Sequence, residues 1–267
     1  MTKKPPMRCI FCRGSTLTRE HVIPDWIQEI IPKKPQQAHL FTTVSKAPLA
    51  PRTRLKTSRL RQGHPISRKV RVVCKDCNNG WLSTLENELK PLIKTLVLGE
   101  AITLTPWGQR RLATWAAKTS MTAEFIHPKS AAVTFEEREY LRLSREPMKT
   151  FNVWTGHYRG SRYTAALHHH SVLLLSGTPT SAETLMPPNT QATIIGLGGL
   201  FLQISSSSLA GVKFNLKNET ASPSTNKLRR IWPPAVADLQ WPPASSLSDR
   251  DIINILAAID ATFSDTI

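Results

Sequence analysis

Lys69-Val70-Arg71-Val72-Val73-Cys74-Lys75-Asp76-Cys77-Asn78-Asn79-Gly80-Trp81 joins a strand pattern to a helix pattern through a pair of cysteines. Residues 69–73 alternate in the period-2 manner of a half-buried strand and deliver Cys74 at its end. Beyond Asn78-Asn79-Gly80, the apolar positions Leu82, Leu85, Leu89, Leu92 and Leu96 recur at helical spacing, with a kink expected near Pro91. The other cysteines form a second Cys-x-x-Cys pair, Cys9-Ile10-Phe11-Cys12, followed by Arg13-Gly14, where glycine permits a tight return of the chain. The two pairs use every cysteine present. Four thiolates, two from each turn, suit a closed tetrahedral Zn2+ site with Cys9, Cys12, Cys74 and Cys77 as ligands. The intervening residues 13–73 make the ion a clip between distant segments. A disulfide oxidoreductase needs one such pair, not two.

Between the pairs lies Thr18-Arg19-Glu20-His21-Val22-Ile23-Pro24, expected to be extended because the residue before proline is pushed away from helix. Asp25 to Ile31 has the length of a short helix ended by Pro32. An imidazole with an ordinary pKa of about 6.5 accepts a proton at neutral pH, which makes His21 the natural general base. Adjacent side chains on an extended segment face apart, so Glu20 and His21 do not chelate one ion unless the backbone bends. Asn78 offers a neutral oxygen to a hard ion such as Mg2+. Asn79 and Glu86 are further polar candidates, with helix capping and a solvated helix face as their plainer roles.

Cys9-x-x-Cys12, Thr18-x-Glu20-His21-Val22-Ile23-Pro24 and Val73-Cys74-x-x-Cys77-Asn78-Asn79-Gly80-Trp81 together resemble the zinc-containing HNH endonucleases with their ββα-metal finger. The resemblance covers about residues 7–90. It implies a metal-dependent endonuclease that hydrolyses DNA phosphodiester bonds, of the kind carried by phages, mobile elements or defence systems. By resemblance, Glu20 and Asn78 hold the catalytic Mg2+ or Mn2+, Glu20 being a variant of the more usual aspartate, and His21 is the base. The products implied are 5′-phosphate and 3′-hydroxyl ends. The chain departs from the family at one point: the middle asparagine, normally a few residues before the second cysteine pair, has no counterpart in Ser67-Arg68-Lys69-Val70-Arg71.

Charge points to the same partner. Residues 1–80 carry 17 basic and 4 acidic side chains, so most of the net charge of +16 belongs to the cysteine-bearing segment. Between Arg52 and Lys75 there are nine Lys/Arg and no Asp or Glu. Such a block beside a phosphate-chemistry site predicts a polyanion, most simply double-stranded DNA. Arg52, Arg54, Lys56, Arg59, Arg61, Arg68, Lys69 and Arg71 are the expected phosphate contacts, which position a backbone without reading its sequence. No amphipathic basic helix or signal peptide is visible. The longest apolar run, Ala192 to Ile204, is too short to span a bilayer and holds three glycines, so a cytoplasmic protein without a membrane partner is expected.

The expected architecture is α+β, with a zinc-stapled domain over 1–98 and a larger α+β domain of unassigned fold over 99–267 that recognises the target or a protein partner. Residues 32–68 read as a long loop. Thr105-Pro106 opens a helix to about Phe125, with Leu112, Trp115, Ala116 and Thr119 inward. Strand-like runs follow at 151–158, 163–176 and 191–207, then an irregular segment over 216–246. A final helix over 249–263 buries Ile252, Ile253, Leu256 and Ile259. His168-His169-His170 sits in a strand, where alternate rings face opposite sides. The Trp232-Pro233-Pro234 and Trp241-Pro242-Pro243 turns read as surface packing, and His39 and His64 as exposed loop residues. Two alternatives stay open: a zinc-dependent nucleic-acid-binding protein without catalysis, and an RNA-directed nuclease.

Overall fold

The computed structural model describes residues 7–31, 43–45, 55–57, 65–174, 187–212, 214, 227–234 and 237–262. Its front part pairs β1 (Leu17–His21) antiparallel with a strand 50 residues downstream. Between them lie a 3-10 turn at Asp25–Glu29 and two short strands, β2 (Thr43–Ser45) and β3 (Leu55–Thr57). β2 and β3 pair antiparallel, so the segment expected to be loop contains two paired strands, in which Thr43, Val44 and Thr57 are β-branched.

The partner of β1 is β4 (Lys69–Cys74). Thr18 faces Val73 and Glu20 faces Val70, so two residues on β1 oppose three on β4, a bulge in the downstream strand. The bulge explains why Val72 and Val73 are both buried where strict alternation exposes one of them. A helical turn, α1 (Lys75–Cys77), leads through a wide turn at Asn78–Leu82 into α2 (Ser83–Leu98). α2 runs unbroken through Pro91; the non-helical residue is Gly80 (φ −92°, ψ −112°).

After β5 (Ile102–Leu104) comes α3 (Pro106–Ala123), capped by Thr105, whose hydroxyl accepts from Gly108 N at 3.3 Å. Every residue from Leu112 to Ala123 is buried, which marks α3 as a central helix enclosed on all sides. α4 (Phe135–Ser144) opens with a capping box between Thr134 and Glu137. Strands β6 (Phe151–His157), β7 (Ala165–Val172), β8 (Thr190–Leu197), β9 (Leu200–Ser207) and β10 (Arg229–Trp232) form an antiparallel sheet in the order β10-β6-β9-β8-β7. β11 (Leu239–Trp241) pairs with β5, and α5 (Asp249–Thr262) ends the described chain.

Both faces of the sheet are covered. Val153, Leu167, Ile195, Leu202 and Ile204 face the cluster that holds α3, while Trp154, Ile194 and Phe201 face α5. That is why β7, β8 and β9 are buried at every position. The run expected as one strand over 191–207 is instead a hairpin turned at Gly198-Gly199. Gly198 has φ +53°, and a Cβ there would stand 2.5 Å from Val97 O, so both turn and close approach require glycine. Within 216–246, β10 and β11 replace the expected irregular segment where it is described. On α5, Ile255 takes the inward place expected of Ile253, which is exposed.

The architecture is a mixed helix and sheet arrangement. Its main apolar cluster is continuous across residue 98, joining Phe11, Trp81 and Leu89 to Trp115, Leu202 and Trp232. Trp232 and Trp241 are both buried, and Trp232 Nε1 donates to Met148 O at 3.1 Å. Among the described residues, no helix is long and apolar enough to cross a membrane.

Candidate metal centre and adjoining cavity

The first cysteine turn closes through Arg13 N to Cys9 O (2.9 Å) and Cys9 N to Gly14 O (2.8 Å). The left-handed residue is Arg13 (φ 61°), not the glycine after it. Gly14 is needed for another reason: a Cβ there would lie 3.3 Å from Cys12 Sγ and 3.4 Å from Cys74 Sγ. Ile10 N to Val72 O and Lys75 N to Thr16 O, both 2.9 Å, zip this turn onto β4. From the far side, Arg142 Nε of α4 donates to Phe11 O at 3.0 Å and Arg13 stacks over the Phe135 ring.

The result brings Cys9, Cys12, Cys74 and Cys77 together, with all four Sγ atoms within 4.8 Å of one another and Cys12 Sγ 3.4 Å from Cys74 Sγ. A tetrahedral zinc with bonds of about 2.3 Å sets its sulfurs roughly 3.8 Å apart, so the cluster fits that ion. A hydrogen bond from Cys77 brings Cys9 down to about 4 against the opposing effect of burial, and the same contact pushes Cys77 well above the usual thiol range.

One residue beyond Cys77, Asn78 enters a cavity of about 320 Å³ that Glu20, His21, Asp25 and Glu86 also line. Glu20 and His21, expected to face apart, both line it; the pairing with the β4 side runs one residue past His21, where Val22 N bonds Arg68 O, before the chain reaches Pro24 at the cavity rim. Thr18 Oγ1 donates to Val73 O at 3.2 Å and accepts from Asn78 Nδ2 at 3.1 Å. That direction of donation orients the Asn78 amide and leaves its oxygen as the ligand-capable atom. His21 Nε2 lies 3.3 Å from Asp25 Oδ1. Burial, then the Lys69 charge opposite it across the strand pair, holds the imidazole below its ordinary pKa in spite of Asp25. The shift favours the unprotonated ring, the form that can accept a proton.

The wall behind these residues holds Lys118 of α3, whose side chain is 0% exposed. Its Nζ lies 2.7 Å from Glu86 Oε1 and 3.3 Å from Glu20 Oε1. Burial pulls the ammonium pKa down, but Glu86 and then Glu20 outweigh it and leave it raised. Glu20, 6% exposed, is itself raised: burial dominates, and one ammonium shared with Glu86 only partly offsets it. The group sets two carboxyls around one ammonium, with the His21 imidazole beside them.

Sequence reasoning missed Lys118 and Asp25. The signal for Lys118 is a lone charge in Leu112–Ala123, a stretch otherwise without any; that for Asp25 is its spacing of four from His21. Of the expected phosphate contacts, Lys69 and Arg71 are exposed on β4, where Arg71 Nε donates to Leu17 O, and Arg68 is half-buried just before it. Lys56 lies on β3; Arg52, Arg54, Arg59 and Arg61 fall outside the described residues, as do His39 and His64. His168, His169 and His170 lie in a strand as expected, all three buried in β7 because both faces of the sheet are covered. Comparisons with protein-family models, with curated proteins and with solved structures return no match for this chain.

Proposed function

We propose that the protein is a metal-dependent endonuclease that hydrolyses DNA phosphodiester bonds, with the hairpin β1–β4 and helix α2 acting as a zinc-stapled ββα-metal finger of the HNH type. The observation that carries this reading is the convergence of Glu20, His21 and Asn78 on one cavity, one residue beyond the four-cysteine cluster. In it, Cys9, Cys12, Cys74 and Cys77 hold a structural zinc that ties β4 to the first cysteine turn.

Glu20 and the Asn78 oxygen, with Glu86 beside them, form an oxygen donor set of the kind that takes Mg2+ or Mn2+. Such an ion, when bound, supplies positive charge to the developing phosphorane and the leaving 3′-oxygen. His21 takes the proton from the attacking water. Asp25 holds the imidazole in place, the work for which the family uses the missing middle asparagine. Lys118 cancels one of the two carboxylate charges, so a divalent ion leaves the site net positive for an anionic phosphodiester. Lys69, Arg71 and the basic segment before them lie along the backbone of double-stranded DNA. Residues 1–98 carry the reaction and 99–267 recognise the target or a partner, with α3 reaching into the site through Lys118.

The test is incubation of supercoiled plasmid with the protein in Mg2+, Mn2+ or EDTA, with RNA in parallel. Cleavage in Mg2+ or Mn2+, abolished by EDTA and by His21→Ala at unchanged zinc content, is the expected result. Equal nicking by His21→Ala removes His21 from the mechanism. One observation favours a second reading, a zinc-dependent binding protein without catalysis: Lys118 already stands between the two carboxylates, where a cation is otherwise required. Tight DNA binding with no cleavage in either metal selects it.

A further inference from the structure

Helix α2 has a second cavity on its other flank, of about 610 Å³, lined by Gly80, Trp81, Glu88, Trp107, Arg111 and Arg145. That volume lies in the range of roughly 300–1,000 Å³ typical of small-ligand sites. Ser83, Glu86 and Asn87 line the catalytic cavity, whereas Thr84, Leu85 and Glu88 line this one. A shift of one residue is about 100° around a helix, so α2 is the wall between the two.

The lining has the chemistry of a nucleotide site. Trp107, at the start of α3, is 59% exposed, an indole face left in solvent. The Arg145 guanidinium sits 5.0 Å over the Trp81 ring. Arg145 also takes the left-handed backbone (φ 61°) that side chains rarely adopt. Arg111 pairs with Glu88 through Nη2, but its Nε is buried without a hydrogen-bond partner. Cationic crowding adds to this: after burial, the Arg142 and Arg111 charges hold Arg145 below the ordinary arginine pKa. A phosphate would relieve that crowding.

We infer that this cavity binds an unpaired nucleotide of the substrate, its base stacked on Trp107 and its phosphate held by Arg111 and Arg145. The inference rests on the endonuclease reading and sharpens it. A paired base cannot offer its face to an indole, so the strand must be single-stranded, frayed or flipped beside the cleaved bond. A helix is about 10 Å across, which separates the two sites by two or three nucleotide steps of roughly 3.4 Å.

Binding of fluorescein-labelled hexathymidylate, read by anisotropy without added divalent ion, tests this independently of cleavage. A blunt 12-base-pair duplex serves as the comparison. Trp107→Ala, at an exposed position that leaves the core intact, weakens hexathymidylate binding about tenfold, the loss of one base stack. It leaves duplex binding within twofold. Arg145→Asn, which suits the left-handed backbone, weakens it as well and lowers the slope of log K against log salt by about 0.7, one single-strand phosphate contact. Hexathymidylate binding within twofold of the parent protein in both variants, or an equal loss on the duplex, overturns the inference. Absence of plasmid nicking with these effects intact sinks only the catalytic reading.

Discussion

Replacing Lys118 by methionine removes the one cation that two carboxylates of the cavity wall share. Methionine keeps the length and volume of the lysine stem, so the change isolates the charge. Glu20 is 6% exposed and cannot turn to solvent for compensation, while the Glu86 side chain is 21% exposed. Breaking a buried ion pair by deleting one partner costs about 3–5 kcal/mol, because the charge left behind stays buried. We expect Lys118→Met to lose that amount in urea unfolding followed by circular dichroism at pH 7.5. Its direction with pH is fixed. The folded-state pKa of Glu20 is already raised by burial and rises further without Lys118, so the variant is least affected in acid and worst above neutrality. The triple change Glu20→Gln, Glu86→Gln, Lys118→Met leaves no buried charge and recovers most of the loss. A single variant that loses less than about 1 kcal/mol at pH 7.5 refutes the reasoning.

Cys77→Ser removes a thiolate from the cluster and is expected to lower zinc from about one ion per chain to a small fraction of that, by atomic absorption. It forfeits much of a binding free energy on the order of 10 kcal/mol, so near-normal zinc content contradicts the four-sulfur site. His169, fully buried between Thr193 Oγ1 (2.8 Å) and Ser130 O (3.3 Å), has its pKa lowered from 6.5 to about 4 by burial. A depressed value means a contribution present above pH 6.5 and lost as pH falls towards 4, up to about 3 kcal/mol. His169→Asn is expected to flatten the fall in urea midpoint over that range, and parallel curves for the two proteins refute this. Lys69→Gln with Arg71→Gln, both exposed on β4, is expected to lower the slope of log K for duplex DNA against log salt by about 1.8. An unchanged slope removes them from the interface.

Local chemistry made the front of the molecule legible. Cys-x-x-Cys pairs, a strand with period 2 and a helix with leucines at helical spacing are each defined within a few residues, and the structure joins them in that order. The convergence of Glu20, His21 and Asn78 was harder to read, because it depends on where β1 leaves the ladder and on a bulge in β4 that no periodicity announces. Long-range partners were not legible at all. Lys118 meets Glu20 across 98 positions of sequence, and only the packing of α3 against the front segment brings them together. The hairpin at Gly198-Gly199 was lost for a related reason: with both sheet faces buried, the apolar run continues through the turn and looks like one strand.

Diffraction from crystals soaked in Mn2+, with anomalous maps at the zinc and manganese edges, addresses the central claim directly. The account predicts a zinc peak among the four sulfurs and one manganese peak in the smaller cavity, bonded to a Glu20 oxygen and Asn78 Oδ1 at about 2.0–2.4 Å. A cavity without manganese, in which Lys118 still bridges Glu20 and Glu86, would contradict it.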